Sequence, residues 1–343
     1  MVNYIQVTKL ESEHLNAVTE LLIQRLESEY HILPSINKDF LDFGHTIEYI
    51  ANQKNEELSQ SYVALQEQKV IGFVIGKKNP ETNNNTWPSR LSIPHSAGIS
   101  FLAHAISKNT DARIVYRELY KELAKEWVAA GYTHHATHVA ACDQRTQEAW
   151  IDLGFGRHTT ISTRSKTGPL AIAKTNQITI KQAKLTDLDT VIELAETLGR
   201  HHLSSPMFMF WPVDKEDRPL AETFFTELLR DEKNPHFIAY DGKQAIGMLS
   251  FLSHGFIPEH IEKEKNLYLF MGIVAENSQN SGVGHSLLNI GMAWAREHNY
   301  KSSTLHVLNM NYSGQPFWEA TGFQPVEYSM ERTIDSRLVE YNP

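Results

Sequence analysis

The chain repeats itself, and this constrains its fold more than any other feature of its 343 residues. Residues 131–155 (GYTHHATHVAACDQRTQEAWIDLGF) align without a gap on residues 299–323 (NYKSSTLHVLNMNYSGQPFWEATGF), so that 131 falls on 299 and the offset is 168. Tyr132 meets Tyr300, His138 meets His306, Val139 meets Val307, Gln147 meets Gln315 and Trp150 meets Trp318. Gly154-Phe155 then meets Gly322-Phe323. Two unrelated strand–loop–helix units could share part of such a pattern, but a Trp and a Gly-Phe ending in register favour duplication. Residues 61–78 and 236–254 each read as two strands joined by a polar turn, with Asp241-Gly242 as a hairpin signal. Ile71-Gly72 and Ile246-Gly247 hold equivalent places in them. VTKLESEHLNAVTELL and AKLTDLDTVIELAETL each read as a strand end followed by an amphipathic helix, with Thr186 or Asp187 as N-cap in the second. Each half thus reads strand, helices, hairpin, strand, helix, strand, helix, final strands. Gly168-Pro169 and the small residues around it suit a linker near 166–176. The expected units are 1–166 and 177–343, as suits a chain longer than one core usually serves.

Composition narrows the partners. A net charge of −9, from 41 acidic and 32 basic residues, opposes a nucleic-acid partner. No apolar run approaches the roughly 20 residues of a membrane span, and the start lacks a basic stretch followed by an apolar one. With Cys142 as the single cysteine no intrachain disulfide can form, so no membrane association and a cytoplasmic location are expected. The 17 histidines are scattered; neighbours such as His134-His135 and His201-His202 do not converge on a helix, and no spacing reads as a metal site.

Residues 266–300 carry the chemistry. Leu267–Val274 is an apolar run rich in strand formers. AENSQNSGVG follows, and then Leu287, Leu288, Met292 and Ala295 recur at helical spacing. A strand, a glycine loop and a helix start present free backbone N–H groups and about half a positive charge to an anion. The spacing is neither G-x-G-x-x-G, because Leu287 stands at the third glycine's place, nor a Walker loop, because no Gly-Lys-Ser/Thr follows.

Val274, Gln279, Gly282 and Gly284 form V-x4-Q-x-x-G-x-G, which resembles the pyrophosphate loop of the GNAT superfamily, the GCN5-related N-acetyltransferases. Asn311–Phe323, N-x2-G-x2-F-W-x3-G-F, is similar to that family's second motif. The resemblance covers nearly all of the second half and, through element order, extends to the first. It implies an α/β (α+β) fold of two tandem GNAT units, each a mixed, mostly antiparallel sheet flanked by helices, with the fourth and fifth strands splayed. It implies acetyl-CoA as co-substrate, its pantetheine arm beside Ile273 and Val274. Main-chain amides of Gln279, Asn280, Ser281, Gly282, Val283 and Gly284 would take the pyrophosphate. Asn311 and Trp318 would border the far side, and the Val274 N–H would donate to the oxyanion. The implied reaction is direct acetyl transfer to a primary amine on a small molecule or peptide.

The first half departs from this pattern. The offset puts Ile114 at Gly282, Tyr116 at Gly284, Asp111 at Gln279, Arg113 at Ser281 and Asp143 at Asn311. Bulk and an acid at an anion site predict no acetyl-CoA binding there; this half is expected to complete the acceptor pocket or to pack a homodimer. Tyr116, Tyr120 and Trp127 read as core, and Cys142 as a small hydrophobe. Catalytic side chains are harder to assign. Trp318 stands where the family often has an acidic Tyr, and an indole N–H is no proton donor at neutral pH; Tyr312 is close by. For the base, His254 is the best of a set that includes His306, Glu259 and Glu262. Residues 199–219 are expected to set specificity, with Met207–Trp211 forming either an apolar pocket or a contact with the other half. Two alternatives stand: a non-catalytic acetyl-CoA-binding regulatory module, and an aminoacyl transferase of the peptidoglycan-branching type.

Overall fold

The computed structural model describes residues 5–79, 85–165, 167–168, 178–253 and 255–341. The first half runs β1 (Gln6–Lys9), α1 (Leu15–Tyr30), α2 (Phe43–Asn55), the hairpin β2 (Ser59–Gln66) and β3 (Lys69–Asn79), then β4 (Ser96–Ile106). It continues with α3 (Ala112–Ala129), β5 (His134–Ala140), α4 (Gln144–Asp152) and β6 (Gly156–Arg164). The second half repeats the order: β7 (Ile178–Gln182), α5 (Leu188–Leu203), α6 (Arg218–Arg230), β8 (His236–Asp241) and β9 (Gln244–Leu252). Then come β10 (Asn266–Val274), α7 (Val283–Glu297), β11 (Ser302–Leu308), α8 (Gly314–Ala320), β12 (Gln324–Thr333) and a short α9 (Leu338–Tyr341). β5 and β11 coincide at the 168 offset, and β6 and β12 start at it. A three-residue 3-10 turn leads into a sixteen-residue helix in both α1 and α5.

Local chemistry explains most boundaries. The Asp241-Gly242 signal becomes a tight turn with Gly242 at φ 58°, whereas β2 and β3 turn through Glu67 and Gln68 at positive φ. The cap expected at the start of α5 differs from what is found. Asp187 makes no cap bond to α5; its carboxylate turns back to accept from the Lys184 N–H at 2.8 Å. The apolar face of α7, Leu287, Leu288, Met292 and Ala295, is buried as the periodicity predicts. Tyr116, Tyr120 and Trp127 are core residues, joined by Trp150 and Phe155 in edge-on ring contacts. Each such side chain stabilises by about 1.5–3 kcal/mol through burial.

Among the described residues the strands form one twelve-stranded sheet, in the order β1-β2-β3-β4-β5-β12-β6-β11-β10-β9-β8-β7. Among the described residues each half ends in one strand rather than several, and the halves exchange these strands. β12 lies antiparallel to β5 of the first half, and β6 lies antiparallel to β11 of the second. β12 and β6 pair with each other at the centre. The Glu327 carboxylate of β12 is 1% exposed there, in contact with His138 of β5 and 2.8 Å from His260 of the β9–β10 loop. Burial would raise its pKa, but His138 and His260 outweigh that and hold the carboxyl well below its usual range. The first half also reaches across on the α5 side, where Trp87 meets Trp211 edge-on at 5.4 Å and stacks on Phe224 at 5.2 Å.

Candidate active site in the second half

β10 and β11 run parallel and pair only from Asn266 with Ser302 to Leu269 with Leu305; beyond this they diverge. A bulge between Leu269 and Met271 shifts β10 against β9 at the same level. The gap opens into a cavity of about 680 Å³, lined on one side by Gly272, Ile273 and Val274 and on the other by Asn311, Phe317 and Trp318. Ala275 N–H donates to Ile246 O at 2.8 Å, so strand alternation turns the Val274 and Gly272 N–H groups away from β9 and into the gap. The Val274 carbonyl faces the same way and accepts from Gln279 Nε2 at 3.2 Å.

The helix start completes the arrangement. Gly282 precedes α7 with φ 88°, a left-handed conformation that glycine adopts without strain. No side chain caps α7, so its first amides point towards the cavity lined by Gln279, Asn280, Gly282 and Gly284. A Cβ at Gly284 would already meet the Phe317 ring at 3.3 Å. Asn311 Oδ1 accepts from Gly314 N–H at 2.8 Å and shapes the β11–α8 turn. Trp318 lies over Gly272, where an added Cβ would come within 3.2 Å of the indole.

The equivalent place in the first half is built and then filled. β4 and β5 pair from Ser96 with His134 to Ile99 with Thr137 and then separate, so the splay is kept. Arg25 of α1 donates to the carbonyls of His104 and Phe101, both at 2.7 Å. His104 Nε2–H donates to His138 O on β5 at 2.9 Å, and the Tyr116 hydroxyl donates to His104 Nδ1 at 2.8 Å. Burial, helped by Arg25, depresses His104 to about 3, which keeps it neutral and in this role. At the helix start, Asp111 caps α3 through Arg113 N–H at 3.0 Å, so its carboxylate already holds the place an anion would take. A pocket of about 220 Å³ is left, lined by Arg25, Glu29, Tyr116, Cys142 and Asp143. Burial lifts the Glu29 carboxyl to about 7 against the pull of Arg25. Asp143 keeps the turn role of Asn311, accepting from Thr146 N–H at 3.0 Å.

The structure brings Ile273, Val274, Gln279, Asn280, Gly282, Gly284, Asn311 and Trp318 to one cavity. Two expected loop residues do not line it: the Val283 side chain is buried beneath α7, and Ser281 bonds the Ser278 carbonyl at 2.5 Å. His254 lies outside the described residues. His306 does not line the cavity; its Nδ1 is 2.8 Å from the Tyr268 hydroxyl. Glu259 and Glu262 are exposed and also stand outside it. The 207–211 segment divides: Met207 and Trp211 are buried, while Phe208 and Phe210 are 74% and 55% exposed. Met207–Phe210 border a second cavity of about 1130 Å³ with Ile93, Pro94 and His134 of the first half and Met310 before α8. On its floor Glu331 sits 3.1 Å from both His134 and His158. Sequence reading missed Gly272, Arg25 and His104, whose roles come from contacts distant in the chain.

A parallel strand pair that splays beside an uncapped, glycine-turned helix start makes a cleft suited to an anionic ligand. Residues 200–323, which lie within the second half, match the model of the acetyltransferase (GNAT) family. The GCN5-related N-acetyltransferase from Sphaerobacter thermophilus aligns with 96% of this chain and 97% of its own, at 11% identity and a TM-score of 0.58. A GCN5-related glucosamine N-acetyltransferase region of a fungal multi-domain GH3 β-N-acetylglucosaminidase aligns with 96% of this chain at 12% identity and a TM-score of 0.52. The match covers 38% of that protein. At these identities the likeness shows a shared fold. No curated protein matches the sequence. Among the described residues no helix is long and apolar enough to cross a membrane, and no cluster of three or more His, Cys, Asp or Glu could hold a metal ion.

Proposed function

We propose that the second half transfers an acetyl group from acetyl-CoA to a primary amine by direct attack. The observation that carries this reading is the uncapped start of α7 beside the free main-chain edge of β10, both facing one cavity. Acetyl-CoA fits it chemically: a diphosphate suits convergent amides and a helix N-terminus, and pantetheine amides suit an unpaired strand edge. Amides between Gln279 and Gly284 would hold the diphosphate, and Gly272 and Val274 would bond the pantetheine. The bound thioester supplies the acyl group. One gap-facing N–H of β10, that of Val274 or Gly272, would donate to the oxyanion that develops on its carbonyl. Trp318 supplies shape and no proton, so the thiolate leaves without acid help from that position.

The acceptor's apolar body would lie in the second cavity, against Met207–Phe210 and Ile93. The β11–α8 turn separates this cavity from the first, with Met310 lining one and Asn311 the other. The first half thereby serves the reaction without binding the cofactor. The test is calorimetry of the full-length chain with acetyl-CoA, followed by thiol release over a panel of primary amines. One micromolar site and amine-dependent release are expected. Absence of binding, or binding without release for any amine, would overturn the reading.

A further inference from the structure

As an amine attacks a thioester, its nitrogen must give up one N–H proton before the neutral amide can form. Among the residues lining the cofactor cavity, His201, His285 and Tyr312 are the ones with titratable side chains. His285 follows Gly284 in the first turn of α7 and lies edge-on to Phe317 at 5.1 Å, at the diphosphate end. Tyr312 is 72% exposed at the rim. His201 stands elsewhere, in the last turn of α5, three residues beyond Leu198.

Its position follows from the two faces of the sheet. α7 packs on one face with Leu249 and Leu269; Leu198 packs on the other with Met248 and Ile273. A cofactor held at the α7 start and threaded into the splay occupies the α7 face. An amine must then reach the thioester from the α5 face, where His201 lines the cavity with Leu198 and Met248. The adjacent His202 is turned away against Trp211, 4.9 Å between ring centroids, and burial holds it at about 4. The two rings therefore serve different environments. Among the described residues the His201 ring makes no hydrogen bond to protein, so both of its nitrogens are available to a ligand.

Duplication supplies an independent observation. α1 and α5 have the same length and the same preceding turn, and aligning them residue for residue from their first positions puts Ser28 at His201 and Arg25 at Leu198. The half with no glycine loop also has no imidazole at this place, and an arginine closes the approach that leucine leaves open in the other half.

We propose that His201 is the general base of the transfer; this rests on the acetyltransferase reading above. The amine nitrogen forms a bond to the thioester carbonyl carbon while a His201 ring nitrogen takes one N–H proton. The C–S bond then breaks, and the coenzyme A thiolate leaves with the electron pair. It recovers a proton from the imidazolium or from water, so that amide and free thiol are the products.

The test uses the full-length protein, acetyl-CoA and aryl-alkyl primary amines such as tyramine and 4-phenylbutylamine, with thiol release as readout. His201→Gln should lower kcat by at least about 100-fold, within the usual range for a positioned base. Its Kd for acetyl-CoA by calorimetry and its melting temperature should stay at wild-type values. Added imidazole should restore part of the rate to His201→Ala. The proposal fails if His201→Gln keeps kcat within threefold of wild type, or if its loss is explained by weaker acetyl-CoA binding. It also fails if His306→Gln abolishes turnover while His201→Gln does not. If the wild-type protein binds acetyl-CoA but releases no thiol with any amine, the transfer reading itself falls, a different result from an unaffected His201→Gln.

Discussion

The two halves share a splayed strand pair, the order of helices and even the lengths of the first turn and helix, yet the cleft beside the splay is far larger in one than in the other. In the second, Gly284, Leu198 and an uncapped helix leave about 680 Å³. In the first, Tyr116, Arg25 and the Asp111 cap leave about 220 Å³. The sheet geometry is thus separable from the ligand site. Splaying two strands exposes main-chain carbonyls that something must satisfy. The second half leaves them facing its cavity, and the first answers them from within through Arg25 and His104.

Glu327→Leu leaves His138 and His260 without their carboxylate where the halves cross; about 3–5 kcal/mol of stability should be lost. Urea unfolding should show both halves melting together, and separate transitions would contradict one shared sheet. Gly284→Tyr installs the first half's ring in the second. Acetyl-CoA affinity should fall at least 100-fold, about 3 kcal/mol, by calorimetry, with the fold retained. Arg25→Leu makes the converse change. It strands the carbonyls of Phe101 and His104 and should cost about 2 kcal/mol, with acetyl-CoA affinity and a stoichiometry of one unchanged. A second binding event would show that the plug alone silences the first half.

Acid should act unequally as well. Burial depresses His104 to about 3, His135 to about 4 and His236 to about 4, and all three are neutral in the fold. Their stabilising effect is complete above about pH 6.5, where the unfolded histidines are also neutral. It is lost as pH falls towards 4, because the unfolded chain binds protons that the folded one excludes. Each contributes about 1.4 kcal/mol per pH unit across that window. Two of the three lie in the first half, so hydrogen exchange at pH 5 should accelerate there first. His138 behaves oppositely: burial lowers its pKa, the Glu327 carboxylate raises it by more, and its contribution is lost as pH rises through the elevated value. The smallest effect is expected from Phe208→Ser. The acceptor KM should rise a few-fold, about 1 kcal/mol, with acetyl-CoA affinity unaffected.

Much of this was legible in the chain because it is written locally. The run from Leu267 through Gly284 to Ala295 encodes a strand, a left-handed glycine and an amphipathic helix in consecutive residues. Repetition at 168 exposed the second copy, and the loss of Gly284's counterpart to Tyr116 marked the one with the filled cleft. What sequence could not show depends on partners far away. Strand exchange leaves no periodic trace, since β12 has the same alternation whether it pairs with β11 or with β5. Arg25 reads as an ordinary helical residue until Phe101 and His104 are placed beside it. His201 was obscured for a related reason: its helix repeats at a different offset from the downstream motifs, so its pairing with Ser28 emerges only when the two helices are aligned from their first residues.

The exchanged final strands also set a timetable for synthesis. When β6 leaves the ribosome, the edge of β5 that will meet β12 is bare, and so are both edges of β6. Their partners are encoded up to 169 residues later, through Thr333. At ordinary elongation rates that delay is roughly 10–30 s. Throughout it the nascent protein displays unpaired strand edges, the surface most prone to stray pairing with neighbours. The first half must therefore wait, unfinished or chaperoned, for the last strand of the second.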